Sequence, residues 1–186
     1  MPIWPRGASW VDDNTIIIGT NSPTTGLLRV SAGGGEPTVL TVPDRAHGEE
    51  GHLFPSGLPG GRAVLFTIGA SAPENAQVAL LDLQTGQRTT LVTGGRDAQY
   101  VASGHLLYGV GRAMSAVRFD LGRRAAAGDP VRVFDEMAVA PTGALNMAVT
   151  TAGTLVFVPA GTDAAPLRTL VLVDRQGRDT PLSAPA

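Results

Sequence analysis

Residues 44–55 read DRAHGEEGHLFP, with two histidines and two glutamates within six positions. His47, Glu49, Glu50 and His52 are candidate ligands for a metal or a small molecule. Imidazole and carboxylate groups together suit Zn²⁺. The helical form of such a site needs His-Glu-x-x-His, which sets both imidazoles on one helix face. Here the histidines stand five apart, and Gly48 and Gly51 are poor helix residues. The metalloprotease pattern therefore fails. What remains is a loop whose His and Glu converge on a ligand, or a polar connection between two strands. The connection is the expected reading, and its place just before a strand puts it near an axial mouth.

The other chemistry-bearing residues read as turns. Asp12, Asp13 and Asn14 stand in a row, but the Asp-x-Asx-x-Asx-Gly spacing of a Ca²⁺ loop is missing. Asp and Asn favour turns because they bond their own backbone. Asp82, Asp120 and Asp174 recur at one place in three units, as carboxylates accepting backbone N–H bonds do. No Gly-x-Ser-x-Gly elbow exists. Ser71 and Ser103 are the serines to consider, with only His47, His52 and His105 as bases. His105 opens a strand and is expected to be half exposed. SAGGGEP (31–37) and GTNSPTTG (19–26) do not lead from strand into helix, so neither cradles phosphate. No nucleophile with a positioned base is legible.

Composition narrows the classes further. The chain has 186 residues, a hydrophobic share of 43%, and Gly 24 with Pro 14, which calls for many turns. All 14 basic residues are arginines, scattered along the chain with a net charge of −2. No basic stripe points to nucleic acid. There is no cysteine, which excludes disulfides, thiolate metal sites and a Cys nucleophile. No apolar run approaches the roughly 20 residues that span a bilayer, and the first ten residues lack a signal-peptide core. The expectation is a soluble bacterial chain, cytoplasmic as given, or extracytoplasmic if cut from a membrane-anchored parent.

The elements that position these residues repeat. DDNTIIIGT (12–20), PGGRAVLFT (59–67), ASGHLLYGV (102–110) and TAGTLVFVP (151–159) each place a short apolar run after a turn. Runs this short and rich in Ile, Val, Leu and Phe are strands. Each is followed by a strand, a turn and a strand: 26–42, 77–93, 115–134 and 168–182. The first two superpose without a gap at an offset of 51 residues, Gly35 on Gly86 and Leu40 on Leu91. In the third, Arg123, Arg124 and three alanines are expected to lengthen the connection before Pro130. The fold class is all-β. It is a partial β-propeller of about four blades of antiparallel four-stranded sheet, bounded near 1–45, 46–96, 97–140 and 141–186. Trp4, Trp10, Tyr100 and Tyr108 are expected to pack blades or line the rim.

ASWVDDNTIIIG, FPSGLPGGRAVLFT and ALLDLQTGQRTTLV resemble the WD-like (TolB-type) propeller repeats found C-terminal to bacterial serine/threonine protein kinases. Trp10, Asp12 and Asp13 match part of that family's Trp-Ser-Pro-Asp-Gly. Phe54, Pro55, Leu58, Pro59, Gly60 and Gly61 match a variant of it, and Asp82, Thr85 and Gly86 match its Asp-x-x-Thr-Gly. The resemblance covers nearly the whole chain. No kinase motif is present, and four blades are visible where the family closes with six or more. The resemblance implies a non-catalytic module for protein or small-molecule interaction, the sensor part of a kinase-like protein, with no cofactor. The alternative is a metal-dependent lactonase- or esterase-like hydrolase holding Ca²⁺ or Zn²⁺ at the axis. An arc leaves two blade faces open, which predicts a homo-oligomer.

Overall fold

The structure, a computed structural model, describes residues 4–11, 14–150, 153–161, 171–173 and 179–181, the last two stretches as backbone. Asp12, Asp13 and Asp174 lie outside these. Turns carrying Gly, Asp and Asn cut the chain into short apolar runs. Such runs form strands because β-branched and aromatic side chains fill a pleated surface. The only described helices are two single 3₁₀ turns, Arg45–His47 and Pro73–Asn75. No described helix is long and apolar enough to cross a membrane.

Every pairing among the described strands is antiparallel. In the first sheet β1 (Pro5–Val11), β2 (Thr15–Thr20), β3 (Leu27–Ser31) and β4 (Thr38–Val39) pair in that order. The second runs β5 (Gly51–Gly57), β6 (Ala63–Gly69), β7 (Gln77–Asp82) and β8 (Arg88–Thr93). The third runs β9 (Arg96–Val101), β10 (His105–Val110), β11 (Ala113–Asp120) and β12 (Ala125–Phe134). One pairing, Thr20 with His52, joins the first two sheets. The fourth unit holds β13 (Met147–Val149) with β14 (Leu155–Phe157), and β15 (Val171–Val173) with β16 (Asp179–Pro181).

The sheets stack face to face, and β6 shows why. Its run AVLFTIG is buried throughout. Val64, Phe66 and Ile68 join Val11, Ile17 and Leu27 of the first sheet. Ala63 and Leu65 point the other way, into a core with Leu106, Tyr108, Val117 and Phe119 of the third. A third core gathers Met114, Met137 and Leu145, with Leu107 and Phe157 against it. Each fully buried side chain of this size contributes about 1.5–3 kcal/mol. Strands apolar on both faces, buried between successive sheets, make this a β-propeller. It is an open one: among the described residues no pairing joins the last sheet to the first.

Two features differ from the sequence expectation. The three alanines do not lengthen a connection. They begin β12, and the turn is confined to Leu121–Arg124, with Arg124 at φ 54°. Pairing with β11 outweighs the helix preference of alanine, and Pro130 is tolerated because β12 ends its sheet. Second, β1, β5 and β9 each carry a register break beside a residue at positive φ: Gly7 (89°), Phe54 (51°) and Asp97 (52°). These bulges recur in the opening strand of each of the first three sheets and bend it.

Candidate functional site

The connection from β4 to β5, with the start of β5, carries the four candidate ligands His47, Glu49, Glu50 and His52. Asp44 caps the turn Arg45–His47 by accepting from the Ala46 amide at 3.2 Å, and Gly48 closes it at φ 81°. His47 is exposed, and its Nδ1 donates to Asp44 Oδ2 at 2.7 Å. That contact holds the Asp44 carboxyl below its ordinary range. Glu50 is exposed, while its amide donates to the Gly69 carbonyl at 2.8 Å.

Glu49 and His52 are brought together, and His47 is not. His52 is fully buried, with its ring edge-on to Phe66 at 5.0 Å. Thr41 Oγ1 accepts from the Leu27 amide at 2.8 Å and lies 2.7 Å from His52 Nδ1. The other ring nitrogen faces the Glu49 carboxylate, which can only accept, so the ring carries its proton on Nε2 and the Thr41 hydroxyl donates to Nδ1. Nε2 then donates to Glu49 Oε2 at 3.0 Å. The same Glu49 oxygen accepts from the Asp44 amide at 2.7 Å and from Arg88 Nη1 at 2.9 Å. Arg88 Nη1 also sits 3.1 Å from Nε2, a donor facing a donor, and its bond is to Glu49.

The electrostatics follow from this packing. Burial pushes the His52 pKa down, Arg88 adds to that, and Glu49 opposes both. Burial pushes the Glu49 carboxyl up, but bonds from the Asp44 amide, Arg88 and His52 outweigh it and leave the pKa lowered. The result is a neutral imidazole and a carboxylate, each satisfied within the chain. Gly26 makes room for them: a β-carbon there would lie 2.2 Å from His52 Nδ1 and 2.7 Å from Thr41 Oγ1.

Around this brace lies open space. A cavity of about 380 Å³ is lined by Arg6, Asn21, Arg45, Glu50, Leu53 and Thr142, among others. They come from β1, the β2–β3 connection, the β4–β5 connection, β5 and the segment before β13, so distant parts of the arc meet there. A neighbouring cavity of about 340 Å³ shares Gly69 and Ala70 and adds His47, Glu49 and Ser71.

Elsewhere the structure assigns turn chemistry. Asp82 Oδ1 accepts from the Thr85 and Gln84 amides, each at 2.8 Å, and its other oxygen pairs with Arg124. These bonds bring the Asp82 pKa to about 2. Asp120 accepts from the Arg123 amide at 2.9 Å in the same way. Ser103 Oγ lies 3.1 Å from His105 Nδ1, but no described carboxylate bonds the other ring nitrogen. An activated nucleophile pair has a third group that orients the base, and among the described residues none does so here. Among the described residues no three His, Asp or Glu side chains gather as metal ligands do.

Thr41, Arg88, Gly26 and Arg6 were not legible as site residues. Arg88 is 36 positions from His52 and opens a strand of ordinary polar pattern. Only the pairing of the sheets brings it there.

No protein-family model matches the sequence, and no curated protein matches it. Solved structures match the fold. TolB from Acinetobacter baumannii superposes with a TM-score of 0.58 at 19% identity, over 98% of this chain and 43% of that one. The β-propeller domain of the trilobed protease from Pyrococcus furiosus, described as having an open velcro topology, gives 0.52 at 9% identity, over 99% and 58%. The calcium-binding protein regucalcin from Agrobacterium tumefaciens gives 0.61 at 11%, over 97% and 60%. This chain spans about half the length of the solved structures it matches. Their shared feature with it is the propeller fold, TolB-type propellers included.

Proposed function

We propose that this chain is a non-catalytic propeller module that binds a small polar ligand at the cavity beside the β4–β5 connection. The observation that carries this reading is the division of labour among the four candidate residues. Glu49 and His52 spend their polar atoms on each other, on Thr41, on Arg88 and on the Asp44 amide. Glu50 faces the open cavity together with Arg6, Asn21 and Thr142. A rigid scaffold carrying loop residues around a concave site is the usual arrangement for recognition. Arg6 and Arg45 supply fixed positive charge, and Leu53 supplies an apolar wall. This favours ligands with a carboxylate next to a short apolar body.

The repeat resemblance supports a place for such a module in the sensor part of a bacterial kinase-like protein. A kinase catalytic domain encoded in frame ahead of this segment is the observation that tests that placement. The hydrolase alternative draws on regucalcin, described as calcium-binding, but needs ligands to converge around an ion.

Thermal melting against a panel of small carboxylic acids, sugars and amino acids tests the binding reading. A ligand at about 100 times its Kd adds roughly 2.7 kcal/mol, or about 5–10 °C of Tm for a chain of this size. Arg6→Ala and Arg45→Ala should each reduce that gain. Stabilisation indifferent to both changes would place the ligand elsewhere, and a panel without any stabilising compound would remove the reading.

A further inference from the structure

We propose that a cleft between the first two sheets binds a small phosphate monoester through Arg29 and Arg62. The proposal is independent of the ligand reading above, because the cleft lies at the other end of the strands. β5 begins at the β4–β5 connection and ends at Gly57. The cleft opens beside the turn that follows, residues 58–62.

The repeat makes Arg29 the residue to explain. The 51-residue offset that sets Gly35 on Gly86 sets Arg29 on Leu80. The ladders agree: Arg29 pairs with Ile17 as Leu80 pairs with Leu65. Residues opposed across a ladder share a face, and Ile17 packs against the second sheet. Leu65 and Leu80 lie in the core between the second and third sheets. Arg29 therefore stands in the seam between two sheets, where the next unit places a buried leucine. Its Nε is buried, and no described residue accepts a hydrogen bond from it. The ion pairs among the described residues include neither Arg29 nor Arg62. Arg96 also buries its Nε, but its Nη2 donates to the Gly111 carbonyl at 2.6 Å. Burying part of a guanidinium without an acceptor is unfavourable. An arginine suits this position when it has an anion to hold.

The cleft provides room for one. Its volume is about 480 Å³, within the range of small-molecule sites. Thr15 and Arg29 line it from the first sheet, and Gly60, Gly61, Arg62 and Gln84 from the second. No described aspartate or glutamate lines it. The turn that carries Arg62 is held in place. The Gly61 amide donates to the Leu58 carbonyl at 3.1 Å, and the Arg62 carbonyl accepts from the Leu83 amide at 3.0 Å. A β-carbon on Gly60 would meet nothing within 4 Å, so the rim there is open. Two guanidiniums lining one cleft call for a dianion. A phosphate monoester carries about −1.5 to −2 charge at neutral pH and three acceptor oxygens. The planar fork of arginine matches those oxygens two at a time. A carboxylate would balance only one of the two charges. The volume also leaves space beside the phosphate group for a short polar body.

Equilibrium dialysis of radiolabelled glycerol phosphate against the chain, at fixed ionic strength, tests the proposal. Binding should saturate at one per chain and be tighter above pH ~6, where the ester is a dianion, than below it. Glycerate, its carboxylate counterpart, should compete about tenfold less well or worse. Inorganic phosphate should also compete less well, since it leaves part of the cleft unfilled. Arg62→Ala changes an exposed turn residue and should weaken binding about tenfold or more. Arg29→Leu installs the residue of the next unit. It should abolish binding and, without ligand, melt no lower than the parent. Arg6→Ala, in the other cavity, should leave the affinity unchanged. No saturable binding up to about 10 mM ester would overturn the proposal. So would unchanged affinity in Arg29→Leu and Arg62→Ala, or competition by glycerate or inorganic phosphate as strong as by the ester itself.

Discussion

Replacing Gly26 with alanine tests the brace most sharply. The new methyl would stand 2.2 Å from His52 Nδ1 and 2.7 Å from Thr41 Oγ1. His52 cannot swing aside, since its ring rests edge-on against buried Phe66 and its Nε2 is bonded to Glu49. The Thr41–His52 bond must break or the β2–β3 connection must move. Overpacking costs about 1–3 kcal/mol, and a buried polar atom left without its partner costs about 1–3 kcal/mol more. Together these lower Tm by about 4–24 °C for a domain of this size. Gly33→Ala is the control: its nearest neighbour would be Ser31 Oγ at 3.5 Å, ordinary contact. It should stay within about 0.5 kcal/mol of the parent. The assay is calorimetric melting of both variants at neutral pH. Gly26→Ala melting together with Gly33→Ala and the parent would refute the reasoning.

Three further outcomes are expected. The folded pKa of His52 is depressed from its ordinary 6.5, so below that pH the unfolded chain takes up a proton that the folded chain refuses. Glu49, depressed from 4.5, contributes stability above that value and loses it as pH falls. Both act in one direction, so Tm falls as pH drops from 7 towards 4, and His52→Gln should flatten the upper part of that fall. Asp97→Ala removes the acceptor of the Leu145 amide at 2.9 Å. It should cost about 1–3 kcal/mol, while Asp97→Asn, which keeps an oxygen there, recovers most of the loss in urea titrations. Thr41→Val leaves His52 Nδ1 and the Leu27 amide without their partner, and should expose that amide to hydrogen exchange at least tenfold faster.

Much of the fold was legible because each unit announces itself locally. TIIIGT, AVLFTIG and HLLYGV are too short and too β-branched or aromatic for anything but strands, and Gly86 stands at φ 74° where its turn demands it. The bulged strands were harder. At Gly7, Phe54 and Asp97 an extra residue breaks the alternation that a strand is read by, and nothing local marks a phenylalanine that will adopt positive φ. The alanines of β12 misled for the opposite reason, since their local preference was overruled by pairing. In HGEEGH the spacing alone could not separate exposed His47 from buried His52. That distinction rests on Thr41, Arg88 and Gly26, whose approach depends on how the first two sheets meet.

Under the proposed reading, the His and Glu of this stretch brace the propeller beside a ligand cavity and perform no hydrolysis. Metal content of the purified chain, measured beside hydrolysis of an ester and lactone panel with and without EDTA, addresses it directly. The account predicts zinc and calcium well below one per chain and no turnover above buffer. One metal per chain with turnover abolished by EDTA would contradict it.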